Sequence, residues 1–397
     1  MPGGKPVWHG NLGDKDLSSL FGFIEAYVEC PKTIKRPFLP YRDKDSTLIF
    51  PTGQFVGVYY SEELKFAKSL GYTVIPIRGY LFEEWESPFK EFVSSLYESR
   101  LEAKMSGNEA LSYVYKILMN SLYGRFGINP KSTITEICDE DRYKRLIRDS
   151  ELIFGEKLSE DAFIVSYHSD SSANSDHWEA PKLSAVQLAA AITASARIHM
   201  YPYISREDCY YTDTDSVVLK EALSKEDISS STLGKFKLEA RIKEGFFLAP
   251  KTYSYKPMDG DKPVLKFKGP AKGMVYPEWF ELQYEDPTRT ELVQVTSHFR
   301  IDWDTLDIVK KDSLIKLGIR LDSKRKSVFS GDRWVDTEPI EVEDSSYLND
   351  IGKQVINALK QQLNQLQDEN QRLAKRDSPS NERDSPHEST NDPSDSN

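Results

Sequence analysis

Two aspartates, Asp213 and Asp215, sit inside "CYYTDTDSVVL" (Cys209–Leu219), a run otherwise filled with apolar and β-prone residues. Residues i and i+2 of an extended strand face the same side, so both carboxylates are able to point at one cation. Acids this close repel each other, and a divalent ion relieves the repulsion. Aspartate is also a common turn residue, so the pair alone leaves a hairpin tip and a metal site both open. Flanked by strand-forming residues, Y-x-D-T-D-S is a far narrower pattern than D-T-D.

A second set lies in "KILMNSLYG", where Lys116, Asn120, Tyr123 and Gly124 fall at i, i+4, i+7 and i+8 on one helix face. A cation holds a phosphate, a ring stacks on a base, and a glycine lets a bulky ligand approach. Ile117, Leu118 and Leu122 lie largely elsewhere on that helix and can bury. Arg100 and Lys104 form an i, i+4 basic pair on the preceding helix, which suits either solvated charges or a triphosphate clamp facing Lys116. A third set combines "APKTYSY" with "KFKGPAKGM". Here Lys251, Tyr253, Lys268 and Lys272 interleave point charges, rings and glycines, a pattern that suits a nucleic-acid backbone. A strand with an exposed basic edge would look the same.

The elements that must position these residues follow from periodicity. "GFIEAYV" (Gly22–Val28) alternates as a strand, and Thr47–Tyr60 reads as two β-prone runs around a Pro/Gly turn, a hairpin. Ser61–Gly71 reads as a short helix with Ser61 as N-cap, and "YTVIPI" as the next strand. Helical period takes over from Ser87 to Tyr123 as two helices joined by "SGN". The polar stretch from Gly127 to Pro181, with "SDSSANSD" in it, reads as a loop-rich insertion. Ser184–Ile204 is a small-residue helix suited to close packing on a sheet. At the end, Ile356, Leu359, Leu363, Leu366, Asn370 and Leu373 occupy a and d heptad positions, which suits weak self-association or a terminal amphipathic helix. The segment after Lys375 has no aliphatic or aromatic side chain and is expected to be disordered.

Composition bounds the function classes. The chain has 397 residues, 39% of them hydrophobic, and no apolar run approaching the length of a spanning helix. The first residues lack the pattern of a signal or transit peptide. Three widely spaced cysteines and six scattered histidines argue against a disulfide framework or a zinc site. The net charge of −11 speaks against a nucleic-acid partner until its distribution is seen. The last 21 residues carry six acids against one arginine, whereas Lys235–Lys272 holds ten Lys/Arg against four Asp/Glu.

With the three motifs in this order, the sequence resembles a family B DNA polymerase. "KILMNSLYG" is similar to the fingers motif K-x-x-x-N-S-x-Y-G, "YTDTDS" to the palm motif Y-x-D-T-D-S, and "KTY" to the primer-gripping K-x-Y. The spacing resembles the protein-primed branch, in particular polymerases of plant and fungal mitochondrial linear plasmids. The resemblance covers roughly residues 1–340. It implies an α+β fold: a palm with an antiparallel sheet (1–86 and 182–274), helical-hairpin fingers (87–127), an inserted subdomain (128–181) and a small thumb (275–345). An amphipathic helix (346–375) and a disordered acidic tail (376–397) follow.

The resemblance further implies two magnesium ions, with Asp215 as a ligand and Asp213 supporting it. Lys116 would hold the incoming dNTP, with Arg100 and Lys104 beside it, and Asn120 and Tyr123 would border the nascent base pair. Lys251 and Tyr253 would grip the primer, and Gly124, Lys268 and Lys272 would lie along the DNA. A terminal protein as primer and a mitochondrial location also follow from the resemblance alone. One departure stands out: the family places another metal-binding aspartate in D-x-x-S-L-Y-P upstream of the fingers, with an exonuclease domain before it. "DLSSLFG" (Asp16–Gly22) is similar but runs straight into a strand, so the chain is expected to start after that aspartate, with Asp16 as the alternative ligand. Either a polymerase that needs an upstream segment or an inactive remnant that binds DNA or nucleotide is then expected.

Overall fold

The computed structural model describes residues 1–85, 87–128, 133–168, 184–296, 300–301, 305, 307–310, 312–343 and 350–376. Met1–Asp344 forms one compact unit, and the helix Asp350–Arg376 belongs to a second. In chain order the principal elements begin with β1 (Val7–His9), β2 (Gly22–Cys30), β3 (Thr52–Tyr60), α1 (Ser61–Ser69) and β4 (Thr73–Leu81). The helices α2 (Lys90–Met105) and α3 (Glu109–Phe126) follow, then β5 (Thr133–Cys138), α4 (Glu140–Asp149), β6 (Glu151–Lys157) and β7 (Phe163–His168). Next come α5 (Val186–Ile204), β8 (Cys209–Asp213), β9 (Ser216–Leu219), β10 (Ile242–Ala249), β11 (Thr252–Pro257) and β12 (Val264–Lys266). Last are α6 (Pro277–Glu285), β13 (Glu291–Thr296), β14 (Asp312–Leu317), β15 (Lys326–Ser330), β16 (Arg333–Glu338), β17 (Glu341–Glu343) and α7 (Asp350–Arg376).

The central sheet runs β1-β4-β2-β3-β17, antiparallel throughout except where β17 joins β3 in parallel. In β2 the alternate residues Ile24, Ala26, Val28 and Cys30 are buried on one face, as the two-residue period of a strand requires. They join Leu12, Leu20, Phe38, Phe55 and Leu64 in the main core. The helix α5 covers part of the sheet: Ala191 and Ala194 pack on Tyr60, with Phe21 and Phe23 beside them. Two alanines let the helix backbone come close, which is the use its small residues suggested.

Three local expectations need correction. The runs around Pro51 do not pair with each other. Leu48–Ile49 pairs with Tyr41–Arg42, while β3 pairs with β2 across eight residue pairs. Long-range pairing to a buried strand outweighs the local turn signal. Ser61 is the first residue of α1 rather than its cap. Tyr60 precedes the helix without a side-chain cap, and the Ser61 hydroxyl accepts the Gly22 amide instead.

The insertion, in turn, is not loop-rich over its described residues 133–168. β5, β6 and β7 form a three-stranded sheet in the order β6-β7-β5, with α4 against it around Leu146, Val165 and Tyr167. Its serine-rich patch lies outside the described residues, as does the tail after α7. Among the described residues no helix is long and apolar enough to cross a membrane. Cys30, Cys138 and Cys209 are free thiols.

Candidate functional site

β8 and β9 form an antiparallel hairpin in which Asp213 pairs with Ser216, leaving Thr214 and Asp215 at the tip. The Asp215 amide donates to the Asp213 carbonyl at 2.7 Å, closing a three-residue turn over Thr214. Thr214 has φ of +58°, a left-handed conformation that a β-branched residue rarely adopts. Asp215 is therefore a tip residue and not the strand neighbour of Asp213. The two carboxylates differ in their surroundings. Asp213 is partly buried, and both its oxygens accept from Lys251 Nζ, at 2.9 and 2.6 Å. Asp215 is exposed, and its carboxylate has no hydrogen-bond or ion-pair partner among the described residues.

The hairpin is fixed at its base. Arg206 holds Asp208 through two bonds of 2.7 Å, and the Glu221 amide, beyond β9, donates to the same carboxylate at 2.8 Å. These donors hold the Asp208 pKa down to about 2, the Arg206 bonds contributing most. Arg36 donates to the Cys209 carbonyl at 2.9 Å, tying β8 to the segment that follows β2.

A second tip, the turn between β10 and β11, faces the first. Lys251 occupies it with φ of +59°, and its amide donates to the Tyr211 hydroxyl at 2.8 Å. The ammonium bonded to Asp213 has its pKa raised, chiefly by that hydrogen bond. Tyr211 stacks on Phe247 with centroids 5.3 Å apart and lies 5.1 Å from Tyr253, which itself stacks on Phe247. Burial pushes both phenols up in pKa. Asp213, Asp215, Lys251 and Tyr253 thus gather at one place. Tyr211, the tyrosine of Y-x-D-T-D-S, and Phe247 belong there too; in the sequence Tyr211 was only a motif position with no role, and Phe247 was not singled out. The two-residue spacing of Tyr211 and Asp213 on one strand face was the signal for such a role.

Lys116, Asn120, Tyr123 and Gly124 are all exposed on α3, and a Cβ at Gly124 would meet nothing within 4 Å. Of the residues free to bury, Leu122 is partly buried, whereas Ile117 and Leu118 are 48% and 45% exposed. α2 and part of α5 are the principal elements packed on this helix, too little to cover a second apolar stripe. Arg100 is partly buried and Lys104 exposed on α2. Neither they nor Lys116 form an ion pair among the described residues. Likewise, among the described residues no hydrogen bond or ion pair joins this helical face to the two tips.

Lys268 is exposed and lines a cavity of about 230 Å³ with Thr252, Lys316 and Arg320, beside the Lys251 turn. Lys272 is exposed on the short 3-10 turn Pro270–Gly273. Asp16 caps the turn Leu17–Ser19, accepting the Ser18 amide and hydroxyl at 3.1 and 2.8 Å, and these bonds lower its pKa. Among the described residues no group of three or more His, Cys, Asp or Glu side chains gathers to hold a metal, so Asp16 does not join the tip carboxylates.

A family model described as "DNA polymerase type B, organellar and viral" matches residues 1–209, a span that includes the α3 motif and ends where β8 begins. Curated relatives include a "Probable DNA polymerase" of Podospora anserina, 30% identical over 394 residues covering 90% of this chain and 32% of that protein. Another, of Neurospora intermedia, is 36% identical over 239 residues covering 59% of this chain and 24% of that protein. The chain therefore spans about a third or less of the length of these relatives. Among solved structures, Phi29 DNA polymerase complexed with primer-template DNA and incoming nucleotide superimposes with a TM-score of 0.56 at 18% identity, over 79% of this chain and 54% of that one. Its binary complex with primer-template DNA gives 0.53 at 16% identity.

Proposed function

This chain belongs to the organellar and viral type B DNA polymerases, and from that premise we propose that it carries their nucleotidyl-transfer site. The reaction is in-line attack of a primer 3′-hydroxyl on the α-phosphorus of a dNTP. A P–O bond to the primer forms as the bond to pyrophosphate breaks, and the hydroxyl loses its proton. The observation that carries the reading is the meeting of two hairpin tips. One bears Asp213 and Asp215, the latter without a partner among the described residues, and the other Lys251 and Tyr253.

Two aspartates at one exposed tip suit magnesium, a hard cation that keeps much of its water and phosphate shell and needs only one or two protein carboxylates. When bound, it lowers the pKa of the attacking hydroxyl and neutralises charge on the departing phosphates. The chain's own residues supply the rest. Asp215 offers the free carboxylate, and Asp213 stands beside it. Lys116, with Arg100 and Lys104, binds the triphosphate, and Asn120 and Tyr123 border the base pair with Gly124 leaving room. Lys251 and Tyr253 hold the primer end, and Lys268 and Lys272 lie along its backbone. The primer's hydroxyl belongs to DNA or to a terminal protein, and we place the protein in mitochondria on its resemblance to plasmid polymerases.

Primer extension by this chain over a range of magnesium concentrations, with Asp215→Asn as control, tests the proposal. Extension by the parent once an upstream polymerase segment is supplied in trans, and loss of at least about a hundredfold in the variant with primer–template binding kept, are expected. A second reading has one observation in its favour: Lys251 already occupies both oxygens of Asp213. A chain that binds primer–template tightly yet never extends it, with the upstream segment supplied as well as without, would establish that binding-only role.

A further inference from the structure

Tyr211 and Asp213 stand two residues apart on β8, hence on one face, and both engage the same residue of the opposite tip. The Tyr211 hydroxyl accepts the Lys251 main-chain amide at 2.8 Å, while Asp213 takes the Lys251 ammonium. A left-handed lysine persists only where its surroundings over-determine it, and these two tethers are what over-determine Lys251. The phenol is itself held from both sides of that turn. Phe247 comes from β10 and Tyr253 from β11, so the ring is clasped by the two strands whose connection its hydroxyl reaches.

We infer that Tyr211 is a positioning residue: its hydroxyl sets the Lys251 turn so that the ammonium lands on Asp213 and is presented at the tip. The consequence is electrostatic. With Lys251 in place, the charge of Asp213 is already compensated, repulsion between the two aspartates is relieved, and Asp215 remains the open carboxylate. The same turn also carries the lysine toward a primer strand. That second role rests on the proposed function; the tie between tips does not.

Tyr211→Phe keeps the ring and its stacking and removes only the acceptor. Amide hydrogen exchange at Lys251, measured on the chain without DNA, is expected to speed up about tenfold or more. Primer–template affinity in EDTA, read by fluorescence anisotropy, is expected to fall about three- to tenfold, the range of one lost hydrogen bond. In a Lys251→Met background the same substitution should cost less than about twofold, because the hydroxyl acts through Lys251. Unchanged exchange at Lys251, or an equal loss of affinity in both backgrounds, overturns the inference. If the parent chain binds no primer–template at all, the proposed function fails while the exchange measurement still decides the tie. Should Tyr211→Phe melt early, the added change Lys251→Asn, which accepts a left-handed turn, restores the melting temperature if the hydroxyl acts at that turn. A temperature that stays low would assign the phenol to the aromatic stack alone.

Discussion

Asp213 and Asp215 are the same side chain two positions apart, and their neighbours give them different tasks. Asp213 has a lysine on both oxygens, whereas the Asp215 carboxylate has no partner among the described residues. The three-residue turn over Thr214 produces this split, because it lifts Asp215 out of the strand register that would have placed it beside its neighbour. Residue types and spacing made the aspartates, Lys251 and Tyr253 legible in the sequence. The bonds that organise them were not, because they join residues 40 and 173 positions apart in the cases of Tyr211–Lys251 and Arg36–Cys209. Asp208, at the base of the hairpin, adds a pH dependence. Its pKa is depressed from 3.8 to about 2, so the stability it contributes is fully present above the unfolded value and is lost as pH falls through the folded one. Hydrogen-exchange protection across Cys209–Leu219, taken relative to the intrinsic rate at each pH, is therefore expected to fall between about pH 4 and pH 2, and Asp208→Asn should abolish that fall while loosening the hairpin at neutral pH.

Among the elements, the long helices were readable and the short strands were not. α2 and α3 announce themselves by a sustained helical period and a three-residue connection. β5, β6 and β7 are six or seven residues each, in a polar stretch, and their pairing is settled by tertiary contact. The resulting module has a core of its own, in which Leu146 is 5% exposed. Leu146→Ala is expected to cost that module about 2–5 kcal/mol, seen as faster exchange in Thr133–His168 with the central sheet unaffected. In that sheet β2 and β4 run so close that a Cβ at Gly79 would collide with the Phe23 carbonyl. Gly79→Ala should accordingly lower the melting temperature by about 4 °C or more, through backbone displacement rather than lost burial.

For the whole molecule, a net charge of −11 coexists with a basic surface because the two are segregated along the chain. Primer–template affinity should fall steeply with salt, and Lys268→Ala and Arg320→Ala should each reduce the log–log slope by about 0.7–0.9. Segregated charge was visible in the sequence. What it did not reveal is that the region read as thumb sends a strand home. β17 pairs with Thr52–Gln54, the Thr52 amide donates to the Ile340 carbonyl at 3.0 Å, Lys32 pairs with Glu341, and Val342 packs on the main core. This closure has a consequence in time. A ribosome adding about 5–20 residues per second exposes β3 tens of seconds before it delivers β17. Throughout that interval the nascent sheet carries an open edge, the surface on which strands of other chains add most readily. Its protection during synthesis has to come from a chaperone or from delayed collapse.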